Sequence, residues 1–138
     1  MSDMKNLKVG DVMSRNIKAI NGMVSVQEAI DMMKAEHVRA LVVERRDEED
    51  EYGVVGVSDI AREVIAKNRS ADRLSVYEIM SKPVMTIPED MKIRYAVRLL
   101  VRFELSRAIV VDQNRIPIGI ATMRDFVYIF ASDGAQKA

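Results

Sequence analysis

The chain has 138 residues, 49% hydrophobic and 30% charged, with Lys plus Arg and Asp plus Glu each totalling 21. That is the composition of a folding globular chain rather than a disordered one, and its balanced charge offers no net field to nucleic acid or an anionic membrane. Cysteine is absent, which excludes disulfides, thiolate catalysis and thiolate metal sites and makes the cytoplasm the expected setting; with no apolar leader in residues 1–8 and no apolar run near the ~18–20 residues of a membrane span, neither export nor membrane insertion is expected.

In chain order, the first helical signal is Val26, Ala29, Ile30 and Met33, spaced i, i+3, i+4, i+7. Ser25 and Glu28 before and within it have capping-box spacing, each able to satisfy a backbone N–H of the first turn. His37, the single histidine, follows the stripe, where a positive side chain suits the helix C-terminus. Residues 40–43 form a short branched apolar run bounded by polar residues, the pattern of a buried strand. A turn through 44–52 leads into a second strand over 53–57. The five acids at 47–51 lack the spaced ligands of a calcium loop and are read as a solvated turn. Arg45, Arg46 and Arg62 are read as solvated surface charges. A helix is expected over about 59–66 with Ser58 as its N-cap, then a short polar connector at 67–73.

From there the chain repeats itself. At an offset of 67, Leu7 meets Leu74, Val9 meets Val76, Met13-Ser14 meets Met80-Ser81, Ile20 meets Ile87, Ala29 meets Ala96 and Val43 meets Val110. The helical stripe returns as Ile93, Ala96, Val97 and Leu100, without the serine cap, because Lys92 stands there. Strands are expected at 108–111 and 117–121 about a tighter turn, which shifts the offset to 66, and a closing helix at 124–131 with Thr122 as its N-cap. The fold class is therefore α/β (α+β): a β-α-β-β-α unit twice, over 7–66 and 74–131. The ten methionines, Met32-Met33 among them, are read as core filler.

A duplicated unit opening with Asp11-Val12-Met13-Ser14 or Glu78-Ile79-Met80-Ser81 resembles the CBS domain pair. The most specific matches are Gly53-Val54-Val55-Gly56-Val57-Ser58-Asp59 and Gly119-Ile120-Ala121-Thr122-Met123-Arg124-Asp125, against a family pattern of Gly, two apolar residues, Ser or Thr, two variable residues and Asp. The resemblance implies two units packed about a pseudo-twofold axis, with two clefts of which one or both hold AMP, ADP, ATP or S-adenosylmethionine. Asp125 would accept hydrogen bonds from the ribose hydroxyls, with Thr122 and Ile120 beside it. The resemblance further groups Ile17, Lys18, Ala19 and Arg39 to Leu41, including Ala40, with Asp125, and Val84, Met85, Thr86 and Ser106 to Ala108 with Asp59. His37, Arg39, Arg107 and Arg124 are the candidate phosphate partners. Gly56 departs from the pattern by lacking a hydroxyl, which favours Asp125 as the stronger site, although glycine also permits closer backbone approach. Thr122 and Asp125 have capping-box spacing as well, so finishing a helix is their alternative role.

The function expected from the resemblance is a regulatory, energy-sensing module that binds an adenosine ligand and signals to a separate effector protein. The alternative is a ligand-free structural or dimerisation module of the same fold. With one histidine, no cysteine, no P-loop and no spaced metal ligands, no enzyme, catalytic residue or metal site is expected, and nucleic acid is not an expected partner. Residues 126–130 are apolar around most of a helix, and Tyr95, Leu99 and Phe103 flank the core stripe of another; these faces point to a homodimer.

Overall fold

Residues 9–12 form α1 (Val9–Val12), a single turn of helix that begins the first half. There the Asp11 carboxylate accepts the Lys8 N–H at 2.8 Å, satisfying a backbone donor that a helix start leaves without a partner. After it come β1 (Ala19–Ile20), α2 (Val26–Glu36), β2 (Ala40–Val43), β3 (Gly53–Gly56) and α3 (Val57–Ile60), which runs on into a wide π turn at Ala61–Ile65. The second half supplies a 3-10 turn at Val76–Glu78, then β4 (Thr86–Pro88), α4 (Ile93–Arg102), β5 (Arg107–Val111), β6 (Pro117–Thr122) and α5 (Met123–Lys137). The computed structural model describes residues 6–82 and 84–137, with side chains as far as Ser132.

The strands form two three-stranded sheets in the orders β1-β2-β3 and β4-β5-β6. In each, the first pair is parallel and the second antiparallel. The parallel pair needs a helical crossover, which α2 and α4 provide. All four residues of β2 are buried, as its unbroken apolar run requires of a central strand covered on both faces. The helices bury the expected stripes: Val26, Ala29 and Met33 from α2, and Ile93, Ala96 and Leu100 from α4. Ser25 caps α2 by accepting the Glu28 N–H at 3.1 Å, whereas Lys92 gives α4 no side-chain cap.

Both crossover helices end alike. His37 and Glu104 adopt φ of 57° and 55°, and beyond them Val38 and Leu105 return N–H bonds to Met33 and Leu100 at 3.1 and 2.9 Å. This is the left-handed ending usually taken by glycine. The closing helices differ from expectation. α3 starts at Val57, with Gly56 in the cap position; Ser58 lies inside the helix and is exposed, because the Asp59 carboxylate rather than a serine hydroxyl serves that turn. α5 begins at Met123 and extends to Lys137.

Packing divides the chain into residues 16–84 on one hand and residues before 16 with those from 85 onward on the other. The core of the β4–β6 unit includes Val9 and Met13 beside Ile87, Leu100, Val110 and Phe126. The core of the β1–β3 unit includes Leu74, Val76 and Ile79 beside Ile20, Val26, Val43 and Val55. In each unit a Met-Ser segment is stitched to the third strand: Ser14 and Ile120 exchange backbone bonds at 2.9 and 3.0 Å, and Ser81 and Val54 at 2.9 and 3.1 Å. Such approach leaves no room for a side chain on the neighbouring strand residue, and both residues there are glycine. A Cβ on Gly119 would stand 2.8 Å from the Ser14 carbonyl oxygen, and one on Gly53 3.0 Å from that of Ser81.

Candidate functional site

β3 passes directly into α3, and the first N–H groups of that helix need acceptors. Asp59, three residues past Gly56, turns its carboxylate back so that the Gly56 N–H donates to Oδ2 at 2.8 Å. One helical turn onward, Arg62 donates from Nη2 to the other oxygen, Oδ1, also at 2.8 Å. Arg62 also meets Glu63 at 3.4 Å, and Glu63 takes the Lys67 ammonium at 2.8 Å. Led by the Lys67 hydrogen bond, these partners hold the Glu63 carboxyl below its ordinary pKa. Asp59 is 8% exposed and is the one buried charged residue among the described residues. Arg62 is the surface charge expected, its side chain 61% exposed, and the i, i+3 helical spacing also brings it onto Asp59.

The sheet carries further candidate residues toward the same turn. Ala40 pairs with Gly56, the Val57 N–H donates to the Arg39 carbonyl at 3.1 Å, and the Lys18 carbonyl accepts the Val42 N–H at 2.9 Å. Ile17, Lys18, Ala19, Arg39 and Ala40 thus belong to the Asp59 sheet and its approaches. The Lys18 ammonium pairs with Glu36 at 3.8 Å. Exposed His37 ends α2.

The turn recurs at the end of β6. Arg107 pairs with Thr122, the Met123 N–H donates to the Ser106 carbonyl at 2.9 Å, and Thr86 pairs with Ile109. Here the capping box is complete. The Thr122 N–H donates to Asp125 Oδ2 at 3.3 Å, and the Asp125 N–H donates to Thr122 Oγ1 at 3.1 Å. Among the described residues no ion pair engages Asp125, because Tyr128 stands at the position equivalent to Arg62. Arg124 is exposed, and Ile120 lies in β6 with both backbone groups bonded to Ser14.

Ile17 to Ala19 and Arg39 to Leu41 lie in the same unit as Asp59, and Thr86 and Ser106 to Ala108 in the same unit as Asp125, since each β-α-β crossover hydrogen-bonds to its own third strand. In chemical terms, each aspartate is an anionic acceptor at a strand-to-helix turn. Asp125 has the hydroxyl of Thr122 beside it, a donor and acceptor suited to a polyhydroxylated ligand.

A second polar cluster escaped the sequence reading. Asp50, one of the five acids taken for a solvated turn, accepts from the Arg46 N–H at 2.9 Å and from the Tyr77 hydroxyl at 3.3 Å, and pairs with Lys82. Arg46 and Lys82 both lie over the Tyr77 ring, 5.0 and 5.2 Å from its centre. The Lys82 ammonium, followed by the Arg46 N–H, holds the Asp50 carboxyl well below the usual carboxylate range. The other four acids are exposed as expected. No spacing rule links Asp50 to Tyr77 or Lys82, since the contact is made by the fold.

Among the described residues no group of His, Asp and Glu is arranged to hold a metal ion, and no helix is long and apolar enough to cross a membrane. The family model for the CBS domain matches residues 9–66 and 76–132. The uncharacterised protein MK0525 of Methanopyrus kandleri is 30% identical over 126 residues, or 91% of this chain, which spans 64% of that relative. The structure of a hexameric CBS-CP12 protein from bloom-forming cyanobacteria aligns with a TM-score of 0.83 at 33% identity, covering 88% of this chain and 67% of the other. The CBS domain pair of MJ0100, solved with 5′-methylthioadenosine and S-adenosyl-L-methionine, aligns with a TM-score of 0.75 at 25% identity over 91% and 96% of the two chains.

Proposed function

Since the chain belongs to the CBS domain family, we propose that it is a regulatory module that binds an adenosine ligand and passes the signal to a separate effector protein, catalysing no reaction itself. The observation that carries this reading is the turn at Thr122 and Asp125: a half-buried carboxylate with no ion pair among the described residues, beside a hydroxyl and at the start of the 15-residue α5. A carboxylate in that setting accepts from both hydroxyls of a ribose, and the helix start favours a negative group such as a phosphate. The binding of 5′-methylthioadenosine and S-adenosylmethionine by the MJ0100 pair supports the ligand class. Regulation further requires that ligand bind one arrangement of the protein more tightly than another.

Thermal unfolding with AMP, ADP, ATP, S-adenosylmethionine and 5′-methylthioadenosine tests the proposal. A ligand at 100 times its dissociation constant stabilises the folded state by about 2.7 kcal/mol. At least one of the five raises the unfolding midpoint of the parent, and Asp125→Ala abolishes the shift. No shift with any of them, on protein freed of copurified nucleotide, overturns the ligand reading in favour of a ligand-free dimerisation module.

One surface favours self-association in either case. In the β4–β6 unit Phe103, Val127, Tyr128 and Phe130 are 58–64% exposed, and Tyr95 is also exposed, while Phe126 is buried. Aromatic side chains with roughly 150–250 Å² each to bury supply much of the ~800 Å² per partner that a stable interface needs. We propose a homodimer through this surface. Light scattering then gives twice the chain mass for the parent and the monomer mass for Tyr128→Glu/Phe130→Glu; a monomeric parent at micromolar concentration overturns it.

A further inference from the structure

We infer that Arg62 closes the Asp59 turn to ligand, so that the chain takes one adenosine ligand, at Asp125, rather than two. This rests on the adenosine-ligand reading and concerns how the two copies of the turn have diverged. At Asp59 both carboxylate oxygens are already engaged, Oδ2 by the Gly56 N–H and Oδ1 by the Arg62 guanidinium, each at 2.8 Å. The Asp59 side chain is 11% exposed, whereas that of Arg62 is 61% exposed, so Arg62 is the partner that lies toward water.

A ribose diol approaching Asp59 must replace a bond between two charged groups with one in which only the carboxylate is charged. It must also free an arginine that Glu63 holds through a second contact at 3.4 Å, with Glu63 itself fixed by Lys67. Gly56 supplies no hydroxyl to compensate. At Asp125 every one of these features is reversed. Thr122 brings a hydroxyl, the one hydrogen bond to the carboxylate among the described residues is the longer 3.3 Å contact from the Thr122 backbone N–H, and exposed Tyr128 replaces the arginine. The wide π turn at Ala61–Ile65 that carries Arg62 has no counterpart in α5, which is regular helix over the matching residues. Wide turns of this kind recur at functional positions in helices.

Calorimetric titration with AMP, S-adenosylmethionine and 5′-methylthioadenosine reads the number of sites directly. For at least one of these probes the parent binds one equivalent, Asp59→Ala still binds one, and Asp125→Ala binds none. Arg62→Met keeps the aliphatic stem and removes the guanidinium; over the concentration range in which the parent shows one equivalent it gains a second, the affinity of the Asp59 turn raised by up to about fivefold, the worth of an ion pair partly open to water. Arg62→Met/Asp59→Ala loses that second equivalent again. Two equivalents in the parent, or no second equivalent in Arg62→Met, overturns the inference while leaving the ligand reading standing. Failure of the parent to bind any of the three overturns both. Hydrogen exchange on the parent provides a measurement independent of variant folding: the bound probe protects residues 122–125 and not 56–59, and protection at 56–59 overturns the inference.

Discussion

Gly119→Ala tests whether the opening Met-Ser segment is a required part of the β4–β6 unit. No glycine among the described residues has a positive φ, so alanine at this position is opposed by its neighbours and not by backbone strain. Its Cβ would lie 2.6 Å from Met13 Sδ and 2.8 Å from the Ser14 carbonyl oxygen. The methionine tip can rotate away. The carbonyl cannot, because it accepts the Ile120 N–H at 3.0 Å while the Ser14 N–H donates to the Ile120 carbonyl at 2.9 Å. Relief therefore withdraws the segment, breaks both bonds and draws Met13, 8% exposed, out of the core. Two backbone hydrogen bonds at about 1 kcal/mol each, with overpacking of about 1–3 kcal/mol partly relieved by the withdrawal, give a loss of about 2–4 kcal/mol. At about 4 °C per kcal/mol for a chain of this size, the thermal midpoint falls by about 8–16 °C. Urea unfolding followed by far-ultraviolet circular dichroism measures the free energy, and a loss below about 1 kcal/mol refutes the reasoning. Gly53→Ala meets the equivalent atoms at 2.9 and 3.0 Å, so its loss is the smaller of the two, and the opposite rank order also counts against the argument.

Replacing the left-handed residues His37 and Glu104 with glycine relieves strain of about 1–2 kcal/mol at each against about 0.5–1 kcal/mol of added chain entropy; urea unfolding shows both variants unchanged or more stable, and a loss above about 1 kcal/mol at either refutes the account. Ser25→Ala, which deletes the acceptor of the Glu28 N–H, costs about 1 kcal/mol, and Lys92→Ser at the uncapped start of α4 adds up to that amount; equal effects of opposite sign in denaturant midpoint are the outcome to look for. The Asp50 carboxyl is held low chiefly by Lys82, so its stabilisation is complete above the unfolded value of about 3.9 and is lost as acid lowers the pH through the folded value. Between pH 5 and 2 the parent's urea midpoint consequently falls further than that of Lys82→Met; parallel curves refute the contribution of the pair.

Much of the fold was legible because its signals are local. The stripe Val26, Ala29 and Met33 and its copy Ile93, Ala96 and Leu100 are buried as their spacing predicts, and the apolar runs became the central strands. The asymmetry between Ser25 and Lys92 as caps was readable from residue type alone, as was the complete Thr122–Asp125 box against the hydroxyl-free Gly56. Where the closing helices start was less legible: the turn at Asp59 is served by a carboxylate three residues inside, so Ser58 offered a misleading cap.

The amino-acid sequence by itself determined the duplication, the alternation of strand and helix, the faces each element buries and the two aspartate turns, since each is recorded in residues a few positions apart. The tertiary structure alone decided that residues 9–15 complete the core beside β4–β6 and that Asp50 leaves solvent for Tyr77 and Lys82. A periodic pattern states which side of an element is dry, whereas the pairing of one polar atom with another depends on how the backbone brings distant segments within about 3 Å, a distance at which hydrogen bonds form or fail.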